Sequence, residues 1–314
     1  MLLRDRIGRR MKLQDLHVLM TVVQAGSMAK AAAILNTGQP AISRSIAELE
    51  HAVGVRLLER NRQGVTPNEY GRALLDGGLA VFDELRKAVK KIEFIADPTA
   101  GEVRIGCNQA IMCGLVPIVF GQIRRKYPGI TVHVTALTTA PQRYRELRER
   151  KVDLVIGRMP GFVDDDIAAE VLFYDRMLVV AGSQNRWARR RKIDLADLAE
   201  EPWSLPPLDS PFGSLIADAF RASGLKFPPK GVAFGPHQMF STLVASEPFL
   251  SIIPDSLLRF GRNLPPLKVL PVKLPVPPWP IGIMTLKSRA PSPVTQLFVG
   301  RIRETVRPQA KRTP

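Results

Sequence analysis

The sequence predicts an α/β protein with a small helical N-terminal domain, a long connecting helix and a larger domain of alternating strands and helices. Three observations support this fold class. Apolar residues recur at helical spacing through the first fifty residues, with breaks at Gly26 and Gly38. No proline interrupts residues 68–96. From Glu102 onward, short apolar runs alternate with amphipathic segments, a pattern typical of a parallel sheet flanked by helices.

The composition indicates a folded protein with a polyanionic partner. The chain has 314 residues, of which 45% are hydrophobic and 24% charged, which is normal for globular domains and enough for more than one core. The formal net charge of +16 favours nucleic acid as a partner, although an anionic membrane surface would also accept it.

The N-terminal sequence predicts a cytoplasmic protein. Charges interrupt the first apolar residues at once, so we expect no secretory signal, and no apolar run approaches the length of a membrane span. Residues 1–12 are predicted to be a basic N-terminal extension, since a more regular pattern begins at Met11. We therefore expect no membrane partner.

The first helices are predicted from apolar spacing and capping residues. Apolar side chains at positions i, i+3, i+4 and i+7 predict a helix over 13–25. Gly26 ends this helix, and Ser27 is a suitable N-cap for a second, alanine-rich helix over 28–35. The segment Asn36-Thr37-Gly38 has the length of the turn in a helix-turn-helix.

The helix that follows this turn presents polar side chains on its outer face. Pro40 fits the first helical turn, where a missing N–H has no cost. Such a helix can enter a major groove, where Gln reads adenine, Arg reads guanine or holds phosphate, and Ser does either. An alanine-rich helical hairpin without DNA contacts is the alternative. The residues predicted to contact DNA here are Ser27, Thr37, Gln39, Pro40, Ser43 and Arg44.

An arginine-rich hairpin follows, in the sequence RLLERNRQGVTPNEYGRALL. Arg60 and Arg62 flank a short turn with Gly64, and Asn68 is a suitable cap for the next helix. We expect the two arginines to hold phosphates or to probe a minor groove. Residues 13–70 are therefore predicted to form a winged helix-turn-helix that binds double-stranded DNA.

The segment AAAILNTGQPAISRSIAELEHAVGVRLLERNRQGV resembles the winged helix-turn-helix of LysR-type bacterial transcription regulators. The resemblance continues in NEYGRALL and in GEVRIG at 101–106. Gly38 stands where the family usually has Ser or Thr, so one phosphate or cap contact is missing unless Thr37 replaces it. Pro67-Asn68 stands for the usual Leu-Thr, and Asn68 keeps the capping chemistry.

Residues 71–96 are predicted to form a linker helix on the order of 40 Å long. Its apolar stripe requires a partner, which is either a second helix or the helix's own domain. The resemblance implies an antiparallel dimer through this helix, and usually a homotetramer. The predicted dimerisation residues are Leu75, Leu79, Phe82, Leu85, Val89 and Ile92.

Residues 97–314 are predicted to form an effector-binding domain. The resemblance implies two α/β lobes, similar in fold to periplasmic solute-binding proteins, with lobe I at about 101–174 and 279–314 and lobe II at about 175–278. Ligands in such sheets bind at the carboxyl ends of strands, in the crevice between the lobes. The predicted effector-binding residues are Asn108, Gln109, Thr138, Thr139, Ser204, Ser210, Phe212, His237 and Gln238.

The sequence carries no motif for catalysis. It has no nucleophile elbow, phosphate loop or dinucleotide fingerprint. Cys107 and Cys113 have no histidine nearby and are interpreted as buried core residues, and the acidic run 164–166 as a solvated loop. We therefore expect no enzyme activity, no metal and no cofactor apart from a small-molecule effector of unknown identity.

The predicted function is transcriptional regulation. The chain would bind promoter DNA as an oligomer, respond to a small-molecule inducer held between the two lobes, and act on RNA polymerase. The alternative is a two-lobed solute-binding protein or small-molecule enzyme, which would leave the first hundred residues without a role.

Overall fold

A computed structural model describes most of the chain as two compact units, Met1–Val89 and Lys90–Pro314. Within the described ranges, no helix combines the length and the apolar character needed to cross a membrane. The residues described are 11–61, 64–228, 231–233, 243–246, 248–261 and 266–310.

The first unit contains three short helices, a two-stranded antiparallel hairpin and most of a long helix. The apolar faces predicted for the first three helices are confirmed, because Leu19, Ile42 and Leu49 are almost completely buried in one core. The elements are α1 (Leu13–Ala25), α2 (Met28–Ile34), α3 (Gln39–Val53), β1 (Leu58–Asn61), β2 (Gly64–Pro67) and α4 (Glu69–Ala96).

The turns of this unit follow the predicted chemistry with one exception. Gly26 ends α1 in the left-handed conformation, with φ of 65°, and the Ser27 hydroxyl accepts a hydrogen bond from the Lys30 amide of α2. The Asn68 side chain caps α4 by accepting from the Gly71 amide at 2.8 Å. No side chain caps α3, whose N-cap is Gly38, so Thr37 does not supply the missing cap.

The apolar stripe predicted on α4 has a partly buried section and an exposed section. Leu75 and Phe82 pack against the helix-turn-helix core, and the Phe82 ring lies 5.8 Å from the His17 ring of α1. These contacts partly bury both side chains on their own domain, and their predicted dimerisation role stays a prediction. Leu79 is half-buried. Further along the helix, the exposed fraction is 46% for Leu85, 53% for Val89 and 66% for Ile92. The exposed residues keep the predicted dimerisation role.

The second unit contains two five-stranded mixed sheets. The first has the strand order β4-β3-β5-β12-β6 and the second β11-β7-β10-β8-β9. Their bounds are β3 (Ala100–Cys107), β4 (Gly129–Ala136), β5 (Leu154–Arg158), β6 (Ile167–Asp175), β7 (Met177–Gly182), β8 (Trp203–Leu205), β9 (Gly231–Ala233), β10 (Leu250–Pro254), β11 (Leu267–Val269) and β12 (Trp279–Leu286).

Helices lie between several of the strands in both sheets. Their apolar sides contribute to a core in which Trp203, Phe220 and Phe298 are fully buried. The bounds are α5 (Gln109–Cys113), α6 (Leu115–Lys126), α7 (Ala140–Arg148), α8 (Pro211–Ala222), α9 (Asp255–Phe260) and α10 (Pro293–Ala310), with a 3-10 turn at Leu195–Leu198.

The prediction of a parallel sheet is only partly right. Strands β4, β3 and β5 are mutually parallel, as are β10, β8 and β9. However, β12 pairs antiparallel with β5 and β6, and β7 pairs antiparallel with β10 and β11. The chain leaves the first sheet at the end of β6 and re-enters it as β12. This return reverses the strand direction.

Candidate recognition helix and effector crevice

The outer face of α3 carries the polar side chains that were predicted from sequence. Gln39, Pro40 and Arg44 are exposed, and Ser43 is half-buried. The opposite face of the same helix buries Ile42 and Ile46. The packing therefore holds the helix in place while its first two turns remain accessible.

Two polar contacts fix the direction of α3. The Ser45 hydroxyl donates a hydrogen bond of 2.7 Å to the carboxylate of Asp15, a buried residue of α1. Near the other end, the Glu50 carboxylate accepts a 2.7 Å hydrogen bond from the Leu57 amide, which leads into β1. Both contacts lie away from the exposed face, so they orient α3 without using the side chains that would touch DNA.

The two predicted DNA contacts that precede α3 differ in their surroundings. Ser27 is half-buried and caps α2, so its hydroxyl already has a structural role. Thr37 is exposed in the turn, and its amide donates a hydrogen bond of 2.9 Å to the Ala32 carbonyl. Thr37 therefore has an available side chain at the edge of the α3 face.

The wing is anchored to the helical core through backbone groups. The Val65 amide donates a 2.9 Å hydrogen bond to the Gly26 carbonyl. Gly64 has φ of 132°, and a Cβ at this position would lie 2.5 Å from the Gly26 carbonyl oxygen, so only glycine fits. The Arg60 backbone pairs with Val65 in the hairpin. The Arg60 side chain and Arg62 lie outside the described residues, and their predicted contacts stay predictions.

Three of the predicted effector contacts are helix caps. Asn108 accepts a 3.0 Å hydrogen bond from the Ile111 amide, and Ser210 accepts one of the same length from the Gly213 amide. Thr139 accepts a hydrogen bond from the Gln142 amide at 3.3 Å. These polar residues therefore start α5, α8 and α7, which follow strand ends.

The other predicted effector contacts have different surroundings. Gln109 and Thr138 are exposed, and the Thr138 amide donates to the Gln142 side chain at 3.1 Å. Ser204 is fully buried in β8, between β9 and β10, and its burial argues against the predicted effector contact. His237 and Gln238 lie outside the described residues.

Sequence reasoning missed a pair of arginines near these caps. Arg143 of α7 is only 6% exposed and packs on Gly157 of β5, where a Cβ would lie 3.3 Å from its Nη1 atom. The next residue of β5, Arg158, places its guanidinium carbon 5.5 Å from the centroid of the Trp279 ring. Burial lowers the pKa of both guanidinium groups. A signal was present, because Arg143 lies beside Tyr144 and one turn before Leu147, both of which face the core.

Aromatic contacts connect Arg158 to the start of α8. The Phe212 ring at the start of α8 lies 6.3 Å from the Trp279 ring in an edge-on arrangement. Phe212, a predicted effector contact, is half-buried. Trp279 therefore contacts both Arg158 and Phe212.

The remaining candidate groups have structural surroundings. Cys107 is buried, which raises the pKa of its thiol to about 12, whereas Cys113 is exposed, so the expectation of a buried residue is wrong for Cys113. The carboxylates of Asp164 and Asp166 both bind Arg148. In the part of the chain that the structure describes, no group of three His, Cys, Asp or Glu residues could hold a metal ion.

Comparison with known proteins gives the same relatives for both units. Residues 13–72 match the bacterial regulatory helix-turn-helix protein domain of the lysR family, and residues 96–307 match the LysR substrate binding domain. The chain is 27% identical to the HTH-type transcriptional regulator GbpR of Azospirillum brasilense over 300 residues, 94% of this chain and 86% of that protein.

Solved structures share the fold at lower identity. A full-length OxyR from Pseudomonas aeruginosa, solved as a cysteine-to-aspartate variant, has a TM-score of 0.66 at 23% identity, with 97% of this chain and 99% of that chain covered. Full-length CbnR complexed with its target DNA has a TM-score of 0.52 at 21% identity, with 94% and 100% covered. At these identities the likeness shows the fold alone.

Proposed function

Because the chain belongs to the LysR family of transcriptional regulators, with a helix-turn-helix and an effector-binding domain, we propose that α3 reads promoter DNA and that a small molecule between the two sheets controls this binding. The observation that carries the proposal is the division of α3 into two faces. Ile42 and Ile46 are buried, while Gln39 and Arg44 are exposed over the first two turns. A helix held in this way can present polar side chains to base edges in a major groove.

The charge of the chain supports the same reading. The formal net charge of +16 creates a field that attracts DNA independently of its sequence. Base contacts from Gln39, Ser43 and Arg44 would add specificity, and Ser27, Thr37, Arg60 and Arg62 would set the position on the phosphates. DNA binding also assigns the protein to the compartment of the bacterial chromosome, the cytoplasm.

We propose that the exposed half of α4 joins two protomers. Leu85, Val89 and Ile92 lie one helical turn apart and are exposed, together with Val81 and Ile95. A dimer through this face would present two α3 helices to half-sites about 34 Å or a multiple apart. A second contact between dimers would give the tetramer.

Control by the effector requires only a difference in affinity. A ligand that binds one arrangement of protomers more tightly shifts the population toward it, with a coupling free energy of typically ~1–3 kcal/mol. The changed arrangement would alter how the promoter is bent and how RNA polymerase is recruited. Asn108, Gln109, Thr138, Thr139, Ser210, Phe212, His237 and Gln238 remain the proposed effector contacts.

Footprinting tests the proposal. Fragments of the host genome are selected by affinity for the purified full-length chain and then footprinted at modest ionic strength. We expect protection of paired half-sites separated by one helical turn or a multiple of it. The absence of protection on every selected fragment would contradict the proposal. Footprints repeated with small-molecule metabolites should change in extent for the effector alone.

A further inference from the structure

We propose that the loop after β7 is a second DNA-binding surface, at which four consecutive cations bind phosphate groups of the duplex. These cations are Arg189, Arg190, Arg191 and Lys192, and we call them the basic loop. The inference rests on the proposed function, because it assumes that the chain binds duplex DNA. It goes beyond that function in placing a DNA contact within the effector-binding domain.

Most of the excess positive charge lies outside the helix-turn-helix unit. Residues 90–314 contain 32 Lys and Arg against 20 Asp and Glu, a formal net charge of +12, whereas residues 1–89 contain 13 against 9, or +4. The phosphates of DNA attract positive charge wherever a protein presents it. The unit that carries α3 therefore holds only a quarter of the net charge that is available to attract DNA.

The basic loop differs from other cations of the second unit in having no counter-ion. Arg148 binds Asp164 and Asp166, and Arg303 binds Glu170. In contrast, all four side chains of the basic loop are exposed, and none of them forms an ion pair with a carboxylate in the described part of the chain. These four charges are therefore available to a partner.

Acidic residues close to the basic loop in sequence have other partners. Asp194 and Asp197 form a capping box, in which each carboxylate accepts a hydrogen bond from the other residue's amide. The Glu201 carboxylate binds Arg186, whose guanidinium carbon also lies 5.3 Å from the centroid of the Trp187 ring. The fold thus neutralises the first arginine of this segment and leaves the following cations unneutralised.

Hydrogen bonds hold the backbone of this segment in place. The Asn185 side chain accepts a 3.0 Å hydrogen bond from the Trp187 amide and donates one of 3.3 Å to the Pro248 carbonyl. The Arg190 amide donates a 3.0 Å hydrogen bond to the Trp187 carbonyl. Ile193, directly after the basic loop, is buried in the core. Because the backbone is fixed, little chain entropy is lost when these side chains meet a ligand.

A run of three cations at the end of α6 provides a contrast. Arg124, Arg125 and Lys126 occupy the last turn of that helix, where positive side chains interact favourably with the free carbonyl groups. The Arg125 Nε atom donates a 3.2 Å hydrogen bond to the Gly121 carbonyl. These cations therefore have a structural role. No helix of the described chain ends at the basic loop, so its charges lack this explanation.

The exposed surface around the basic loop fits phosphate better than protein or lipid. Every exposed side chain in residues 183–192 is polar, and Trp187 is half-buried against Arg186. Protein interfaces usually have an aromatic or apolar centre, and membrane-binding segments insert apolar side chains. The DNA backbone is bound by charge and hydrogen bonds alone, and a guanidinium can bind a phosphate through two of them.

The salt dependence of DNA binding tests the proposal. Full-length protein carrying Arg189→Gln, Arg190→Gln and Arg191→Gln is compared with wild type on a selected promoter fragment and on an unrelated duplex. Each phosphate contact contributes about 0.9 to the slope of log K against log salt, so we expect the slope to fall by about 2–3. Both affinities should fall at least tenfold and by the same factor, because phosphates carry no sequence information.

Two further variants serve as controls. Arg124→Gln, Arg125→Gln and Lys126→Gln together remove the same number of charges from exposed positions of the same unit, and should change the slope by less than about 1. Arg44→Ala should reduce the preference for the promoter fragment over the unrelated duplex, which the basic-loop variant should keep. Thermal unfolding shows whether each variant is folded.

Three results would overturn the inference. The first is a wild-type slope for the basic-loop variant, and the second is an equal fall in slope for the α6 control, which would mean that only net charge matters. The third is unchanged DNA affinity with loss of binding either to phosphatidylglycerol vesicles or to RNA polymerase. That result would assign the basic loop to a membrane surface or to an acidic protein.

Footprints of the wild-type protein separate this inference from the proposed function. If paired half-sites are protected but the basic-loop variant keeps the wild-type slope, regulation stands and the second DNA surface is refuted. If no fragment is protected but binding to the unrelated duplex depends on the basic loop, the surface stands and the proposed regulation is refuted.

Discussion

The outer face of α3 and the strand ends of the second unit both carry polar residues that look suited to binding, but the fold treats them differently. On α3, Ser45 and Glu50 form the hydrogen bonds that hold the helix in the domain. Gln39 and Arg44 are exposed and can contact a partner. At the strand ends, Asn108, Thr139 and Ser210 bind the first amides of their helices. A polar side chain can therefore serve a ligand fully only where the fold does not already use its donors and acceptors.

Arg143 extends this comparison to a buried group. Its buried Nε atom has no hydrogen-bond partner among the described residues. The difference is burial. Gln39 and Arg44 are exposed to solvent, whereas Arg143 is only 6% exposed. Four substitutions test whether side chains that the fold already uses differ from those that it leaves exposed.

Ala32→Asp tests whether the helices of the helix-turn-helix pack tightly enough to exclude a charge from their inner side. Ala32 is buried on α2, so a carboxylate there should cost about 3 kcal/mol or more of stability and abolish DNA binding. Ala33→Asp places the same charge on the exposed side of α2 and should be tolerated. Thermal unfolding and a mobility-shift assay measure both effects. A fully active Ala32→Asp protein would mean that the helices do not pack as described.

Gly71→Ala tests the junction of the wing with α4. A Cβ at Gly71 would lie 2.1 Å from the Leu57 carbonyl oxygen, so we expect a loss of about 1–3 kcal/mol of stability from overpacking. Gly77, on the same helix, has no atom within 4 Å of such a Cβ. Gly77→Ala should therefore stabilise the protein by about 0.5–1 kcal/mol. Chemical denaturation measures the free energy of unfolding of both variants. Equal changes in that free energy would contradict the difference in space around the two glycines.

Arg44→Ala tests whether the exposed face of α3 binds DNA. Because the side chain is exposed on α3, we expect normal folding but an operator affinity lower by ~1–3 kcal/mol, roughly 5- to 150-fold, with relaxed base preference. Arg86→Ala removes an exposed arginine from α4 and controls for net charge. Fluorescence anisotropy with the selected DNA gives both affinities. Unchanged binding by Arg44→Ala would refute its role.

Thr139→Val separates capping from effector contact. Loss of the hydroxyl that accepts from the Gln142 amide should cost about 1 kcal/mol of stability. Thr139→Ser keeps this oxygen and should restore stability. We also expect Thr139→Val to blunt the effector response without changing DNA affinity. If the melting temperature falls but effector titrations match wild type, Thr139 is a cap and not a contact.

Much of the first unit could be predicted from the sequence, because its elements depend on local signals. Helical spacing of apolar residues, Gly26 and Asn68 define α1 to α4 within a few residues. The division of the α4 stripe could not be predicted, since spacing shows that a face is apolar but not what covers it. Leu75 and Phe82 meet a core made by residues distant in sequence.

The second unit was less predictable because its decisive features are long-range. The direction of β12 depends on the chain returning from the other sheet, which no local pattern records. Strand β6 was not predicted, since exposed and buried residues do not alternate regularly along it. Arg143 was missed because charged residues on a helix usually face solvent, and its lack of a partner is visible only in three dimensions.

The anchoring of the wing has a consequence for how the protein searches DNA. The Leu57 amide is bound to Glu50 of α3, and Val65 is bound to the Gly26 carbonyl, so the two strands and the reading helix move as one body. Little ordering entropy is then lost when the domain meets a duplex. We therefore expect the entropic cost of DNA binding to be smaller than for a domain whose hairpin becomes ordered only on the duplex.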